Sequence, residues 1–301
     1  MRHYEGFGLY FASDIDLAPM MKSEVRNADV QIIKGFVSKA GLNQPVVSEP
    51  FCQISPGEMW LAIPDVARFH VSGGNSIVVE PKTGASMQTI NLFLLGSCMG
   101  AIMYQRNRLV IHGNAIRFND EAVVFAGTSG AGKSTLAAAF VKRGYQVLSD
   151  DLSVVDEHGC VQPSYPQLKI WRDAANKLDI DITGLKPIGF QADKFAYPLQ
   201  QQFYHKPLPI RAIYILHGRA QDSISIKALT GMEKLKPLKR HSYRGSFVEG
   251  LGLNSAHLKL CGLLAHRTRI SKIYRPNQSF DIDALVELIE KDVERSHLST
   301  E

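Results

Sequence analysis

Eight consecutive residues constrain this chain more than any others: Gly127-Thr-Ser-Gly-Ala-Gly-Lys133-Ser134. They satisfy the pattern GxxxxGK[ST], whose fixed places fall on Gly127, Gly132, Lys133 and Ser134. Glycines at these spacings let the backbone curl so that successive N–H groups converge on one centre, and a following helix adds the positive end of its dipole. Ser129, Gly130 and Ala131 form the curl, and Thr135 falls in the first helical turn. Four matched positions arise by accident in roughly one chain of this length in a hundred. The pattern also demands a strand before it and a helix after it. Ala122-Val-Val-Phe125 supplies the first and Lys133 to Arg143 the second, ending in Lys142-Arg143-Gly144 with cations in the last turn and glycine beyond. The expected ligands are a nucleoside triphosphate and Mg²⁺, with Lys133 reaching the β- and γ-phosphates and the Ser134 hydroxyl on the metal.

The sequence around the loop has α/β grammar. Leu109-Val-Ile111, Tyr145-Gln-Val-Leu148 and Ile210 to Leu216 read as strands, while 156–209 is turn-rich and carries no clear element. Before it, 85–106 reads as an apolar connecting helix offering Met87, Ile90, Phe93, Leu94 and Ile102 for burial, with Gly96 and Gly100 at a spacing suited to close packing. Residues 1–83 form a small β-rich unit of short strand-like runs, including a hairpin signal at Gly73-Gly74-Asn75. Residues 84–301 form the second unit: the connecting helix, a nucleotide core over 107–220, and a C-terminal part over 221–301. The last contains a helix near 255–267 and an amphipathic helix with Ile282, Leu285, Leu288, Ile289 and Val293 on one face.

Composition excludes several classes. A formal charge of +5 over 301 residues suits an anionic ligand but is too small to argue for nucleic acid. Cys52, Cys98, Cys160 and Cys261 are scattered and form no CxxC pair, which disfavours zinc and a disulfide framework. The N-terminal Met-Arg-His-Tyr-Glu-Gly-Phe has no apolar signal core, and the apolar run Leu92 to Tyr104 is shorter than the roughly 20 residues of a membrane span. The expectation is a cytoplasmic protein with no membrane segment.

A triphosphate loop alone does not separate a switch, a motor and a kinase. Asp150 and Asp151 stand together at the end of the strand after the loop helix, where ligands of α/β sheets bind. One carboxylate can serve Mg²⁺ and the other can accept a proton from an attacking hydroxyl. An isolated Asp pair would read as a turn cap, and His112, after Leu-Val-Ile, as a hydrogen-bonded structural histidine. Beside the loop, His112 instead becomes a candidate for orienting the acids.

The run Ile111-His-Gly113, the loop 127–134, Lys142-Arg-Gly144 and Ser149-Asp-Asp151 together resemble the catalytic core of the HPr kinase/phosphorylase family. The resemblance covers about 107–155. It implies an α/β fold with a P-loop core of the HPr kinase/phosphoenolpyruvate carboxykinase type, ATP and Mg²⁺ as cofactors, a homo-oligomer, and phosphorylation of a serine on a peptide or small protein. Carried over, Asp150 is the base, Asp151 and His112 support it, and Ser134 and Asp151 serve the metal. The Glu-x-Arg-Gly-x-Gly signature that follows the Asp pair in that family is absent, and the region reads Tyr165-Pro-Gln-Leu-Lys-Ile-Trp171. The expectation is therefore a kinase without the reverse reaction. In layout the chain is more similar to HPr kinase-like proteins of lasso-peptide biosynthesis, which phosphorylate the C-terminal serine of a precursor peptide. A nucleotide-binding regulatory protein with little kinase activity, and a small-molecule kinase, stay open as alternatives.

Away from this core, Lys227, Lys234, Lys236, Lys239, Arg240 and Arg244 cluster. They read as a solvated face or as an anion contact, with Arg244 preferred for the second because Gly245 follows it. Lys194 and Lys169 are further candidates for that contact. Trp171 and the aromatics from Phe195 to Tyr204 suit either stacking or the core.

Overall fold

Apolar residues alternate with polar ones through Val30–Lys34, Cys52–Ser55 and Ala67–Ser72, the pattern of strands with one buried face. The computed structural model, which describes residues 1–219, 223–276 and 281–298, places them in one nine-stranded sheet. Its strands are β1 (Arg2–Gly6), β2 (Leu9–Ser13), β3 (Met21–Lys22), β4 (Val30–Lys34), β5 (Val47–Glu49), β6 (Cys52–Ser55), β7 (Glu58–Ile63), β8 (Ala67–Ser72) and β9 (Ser76–Pro81). They lie in the order β3-β1-β2-β4-β9-β8-β7-β6-β5. The Gly73-Gly74-Asn75 turn joins β8 to β9 in an antiparallel hairpin.

Next come α1 (Met87–Phe93), a π-helical turn (Leu94–Cys98) and α2 (Met99–Gln105), which run on as one helix. Among the described residues this is the one helix long and apolar enough to cross a bilayer, and 67% of its apolar window is buried in the protein. Its Ile90, Leu94, Met99 and Ile102 share a core with Phe11, Ile32, Phe69 and Val79 of the large sheet. The Tyr243 ring packs on Gly100, where a Cβ would stand 2.9 Å from it. The glycines of this helix thus admit an aromatic ring.

The second unit begins with β10 (Leu109–Phe118), β11 (Glu121–Gly127), α3 (Lys133–Lys142), β12 (Val147–Ser149) and β13 (Leu152–Val155). The stretch that shows no clear element in sequence holds β14 (Cys160–Gln162), β15 (Gln167–Trp171), α4 (Arg172–Lys177), β16 (Pro187–Ile188) and β17 (Gln191–Pro198). These elements are short, and β15, β17 and β16 form a small separate sheet held by its own pairing. Such pairing is non-local and leaves little periodicity to read. The chain closes with β18 (Leu208–Arg219), β19 (Ser225–Ala228), α5 (Leu235–Arg240), α6 (Gly245–Gly250), α7 (Asn254–Arg267), β20 (Arg269–Pro276) and α8 (Ile282–Leu298). The expected boundary at 220/221 lies outside the described residues.

Three of these strands fix the site. β11 pairs in parallel with β18, and β18 in parallel with β20, so Gly127, Leu216 and Ile273 lie side by side. On the other side β11 pairs antiparallel with β10, which also carries β12 and β13. Gly113 permits this approach, because a Cβ there would stand 2.5 Å from the Phe125 carbonyl oxygen. α3 and α8 cover one face through Leu136, Phe140, Leu285 and Ile289 against Phe125 and Tyr214. α7 covers the other through Cys261 and Leu264 against Val124, Ile213 and Ile215. The architecture is mixed α/β.

Candidate functional site

A cavity of about 840 Å³ opens where the parallel strands end, the position at which α/β sheets bind ligands. Its floor is the glycine loop: Ser129, Gly130, Ala131, Gly132, Lys133, Ser134 and Thr135 all line it. Gly132 has φ +90, a conformation that only glycine adopts without strain. Its turn aims the α3 N-terminus at the cavity. Gly127 lies just beneath, and its carbonyl, with that of Thr128, accepts hydrogen bonds from Lys133 Nζ at 3.0 and 3.1 Å. Burial lowers the proton affinity of Lys133, while Asp151 and Asp150 raise it. The lysine is thus stored on its own loop.

Opposite the loop stand the acids, and the structure divides them. Asp151 lines the cavity and Asp150 does not. This corrects the expected placement of Asp150 as the residue facing a substrate. Strand β12 ends at Ser149, and Asp151 takes φ +65 between an Asp150 carbonyl and a Leu152 N–H that hydrogen-bond at 2.8 Å. That tight turn sends the two side chains apart, and aspartate tolerates the left-handed region better than most residues. Asp150 is 2% exposed and accepts hydrogen bonds from the Lys169 backbone N–H at 2.7 Å and from Asn114 Nδ2. Asp151 Oδ2 accepts from Lys169 Nζ at 2.6 Å.

The acids therefore differ in proton affinity. Burial, then the neighbouring Asp151 charge, pushes Asp150 up. Burial also acts on Asp151, but Lys169 and Lys194 outweigh it and hold Asp151 well below the usual carboxylate range. Lys169 is buried, yet the Asp151 carboxylate beside it keeps its ammonium protonated. Asn114 Oδ1 has no partner. With its amide turned over, that oxygen would accept the proton of a neutral Asp150, so the buried acid has a partner in either state.

Folded Asp150 binds its proton more tightly than an unfolded Asp, so ionising it costs stability as pH rises above about 4. Asp150→Asn removes that cost. In thermal unfolding, the melting temperature of Asp150→Asn relative to wild type is expected to climb between pH 5 and pH 8. A difference independent of pH would show that Asp150 is not the group held protonated.

His112 lines the same cavity. Its backbone N–H donates to the His241 carbonyl at 2.7 Å, and its ring meets Tyr243 edge-on at 5.9 Å. Burial, then Lys133, lowers its proton affinity. The imidazole is neutral at pH 7.

Arg244 does not reach the cavity, correcting the preference for it as an anion contact. With φ +44 it begins α6, and its guanidinium lies over the Tyr243 and Phe247 rings toward the N-terminal unit. Lys169 and Lys194, weaker candidates in sequence, both belong to the site. Trp171 lines the cavity, whereas Phe195 and Phe203 are core. Two site residues have no sequence signal of their own. Asn114 lies two residues after His112 on β10, where strand alternation would have grouped them. Arg275 ends β20, donates to the Ala131 carbonyl at 2.9 Å and lines the cavity. Finding it required the strand order.

Ser134 and Asp151 line one cavity, with Lys169 engaging Asp151 through Oδ2. Among the described residues no group of three or more His, Cys, Asp or Glu could hold a metal alone. The Ser134 hydroxyl suits Mg²⁺ carried in on a triphosphate, which keeps its waters and phosphate oxygens.

No family model matches the chain, and no curated protein matches it. Among solved structures, the Hpr(Ser) kinase/phosphatase from Coxiella burnetii is similar over 64% of this chain and 97% of its own, with 16% identity and a TM-score of 0.30.

Proposed function

We propose that this chain is an ATP-dependent kinase with a P-loop core of the HPr kinase type, transferring the γ-phosphate to a serine hydroxyl of a peptide or small protein. One observation carries the reading. The glycine loop with Lys133 and Ser134 lines the same cavity as His112 and Asp151, and buried Lys169 holds Asp151 from behind. A hydrolytic switch needs a positioned water. An ionised carboxylate locked by a buried lysine across from the phosphate cradle suits a hydroxyl nucleophile better.

Phosphoryl transfer makes little covalent demand on the protein and rests on positioning and charge neutralisation. Lys133 leaves the Gly127 and Thr128 carbonyls for the β- and γ-phosphate oxygens. Ser134 would hold Mg²⁺, which supplies charge neutralisation at the β- and γ-phosphates when bound, and the oxygen of Asp151 not bonded to Lys169 stays free for the acceptor. Asp151 orients the acceptor hydroxyl and takes its proton late, once the phosphoryl group is largely transferred. For that its low proton affinity is no bar, because the attacking oxygen has by then become a far stronger acid. Neutral His112 adds no competing charge beside it.

The test is incubation with Mg·ATP and serine-containing peptides, read by mass spectrometry for phosphate on the peptide. Wild type should yield phosphopeptide. Lys133→Ala should weaken nucleotide binding about 10- to 100-fold, the worth of one or two charged hydrogen bonds. ATP consumption unchanged by Lys133→Ala, or a metabolite accepting phosphate where no peptide does, would overturn the reading.

A further inference from the structure

The small sheet beside the cavity presents one face to it. Lys169 and Trp171 are two residues apart on β15 and so project to the same side. Lys194 on β17 stands directly opposite Trp171, and opposed residues of an antiparallel pair share a face. The other face holds Leu168, Ile170 and Phe195, all core. Lys169 on the cavity face reaches Asp151. One strand step further along, the Trp171–Lys194 pair lines the cavity beside His112 and the glycine loop.

Lys194 lacks what a resting lysine usually has. Among the described residues its ammonium makes no hydrogen bond and no ion pair, only a contact 5.5 Å from the centre of the Trp171 ring. Lys133 rests on two carbonyls and Arg275 on the Ala131 carbonyl. Lys194, His112, Lys133 and Asp151 line one cavity, and the field of Lys194 is felt at all three of the others. A cation held over an aromatic face in that cavity, without a carboxylate, is poised for an anion that arrives with the ligand.

We propose that Lys194 is a second phosphate-binding cation that engages the terminal phosphate of the bound triphosphate, opposite Lys133. The proposal rests on the triphosphate reading of the cavity. It gives the transferred group a lysine on each side, one from the glycine loop and one from the small sheet, with Trp171 as the rest position of the second. An acceptor carboxylate offers the same charge, and diphosphate against triphosphate tells the two sources apart.

The experiment is calorimetric titration of wild type, Lys194→Gln and Lys194→Arg with Mg·ADP and with a non-hydrolysable Mg·ATP analogue. Lys194→Gln should weaken the triphosphate analogue about 10- to 100-fold and leave ADP within about twofold, while Lys194→Arg keeps most of the wild-type preference. Trp171 supplies a second readout. The analogue, and not ADP, should change tryptophan emission as the ammonium leaves the ring, and Trp171→Phe should abolish that change. Equal losses for both nucleotides, no loss for either, or a loss confined to binding of a serine peptide would overturn the proposal. If wild type binds nucleotide and Lys133→Ala does not, while Lys194→Gln is silent, only the Lys194 assignment falls. If folded wild type binds neither nucleotide, the triphosphate reading falls with it.

Discussion

Asp151→Asn is expected to lower phosphoryl transfer about 10³-fold, the usual worth of a positioned proton acceptor, while nucleotide affinity changes far less. The substitution is clean in the backbone. Asp151 holds φ +65, and asparagine occupies that region as readily as aspartate. What changes is charge. The amide cannot take the hydroxyl proton, and it presents Lys169 with a neutral partner in place of the carboxylate now 2.6 Å away. Steady-state kinetics separate the outcomes: a fall in kcat with KM for ATP within a few-fold marks loss of chemistry. A loss below about tenfold would remove Asp151 as the acceptor. Asp150→Asn serves as the contrast, since its 2% exposed carboxylate faces Asn114 and the Lys169 N–H rather than the cavity.

Lys169→Met is expected to destabilise the fold by about 2–4 kcal/mol. Breaking a buried ion pair from one side typically costs about 3–5 kcal/mol, because the remaining charge stays buried without a partner. The figure is set lower here because the Asp151 side chain keeps 21% exposure against 9% for Lys169. The Asp151 carboxylate would then lose its hydrogen-bonded counter-charge. In urea unfolding the midpoint should fall, and part of the loss should return in the double variant Lys169→Met/Asp151→Asn. With the Asp151→Asn single variant closing the cycle, the three differences give the coupling energy of the pair. Removing Lys169 also raises the proton affinity of Asp151, so any residual activity should need higher pH than in wild type. A single variant within about 1 kcal/mol of wild type would show that solvent already screens the pair.

Much of the site was legible because its chemistry is local. Gly127 to Ser134 must curl and start a helix whatever surrounds them, since glycine conformations and the helix N-terminus are set within a few residues. The Asp pair and His112 were legible as neighbours of that loop. Their division of labour was not. Which acid faces the cavity depends on one turn with φ +65 at Asp151 and on a lysine from a strand of another sheet. Lys169 was legible only as a weak candidate for an anion contact, because the role of a buried lysine is recognisable only once its partner is found. Arg244 looked suited to an anion by its glycine neighbour, but its helix starts at the junction with the N-terminal unit and turns the guanidinium onto Tyr243 and Phe247.

The sequence by itself determined the curled glycine loop, the α/β alternation around it and the β-rich character of the first eighty residues. Each follows from backbone preferences and periodicities that act over a few positions. Only the tertiary structure decided which charges meet: Asp151 with Lys169, Asp150 with Asn114, Arg275 with Ala131, Lys194 with Trp171. Those pairings join residues far apart in the chain. Coulomb forces and burial act through space, and sequence spacing says nothing of the distance they act over.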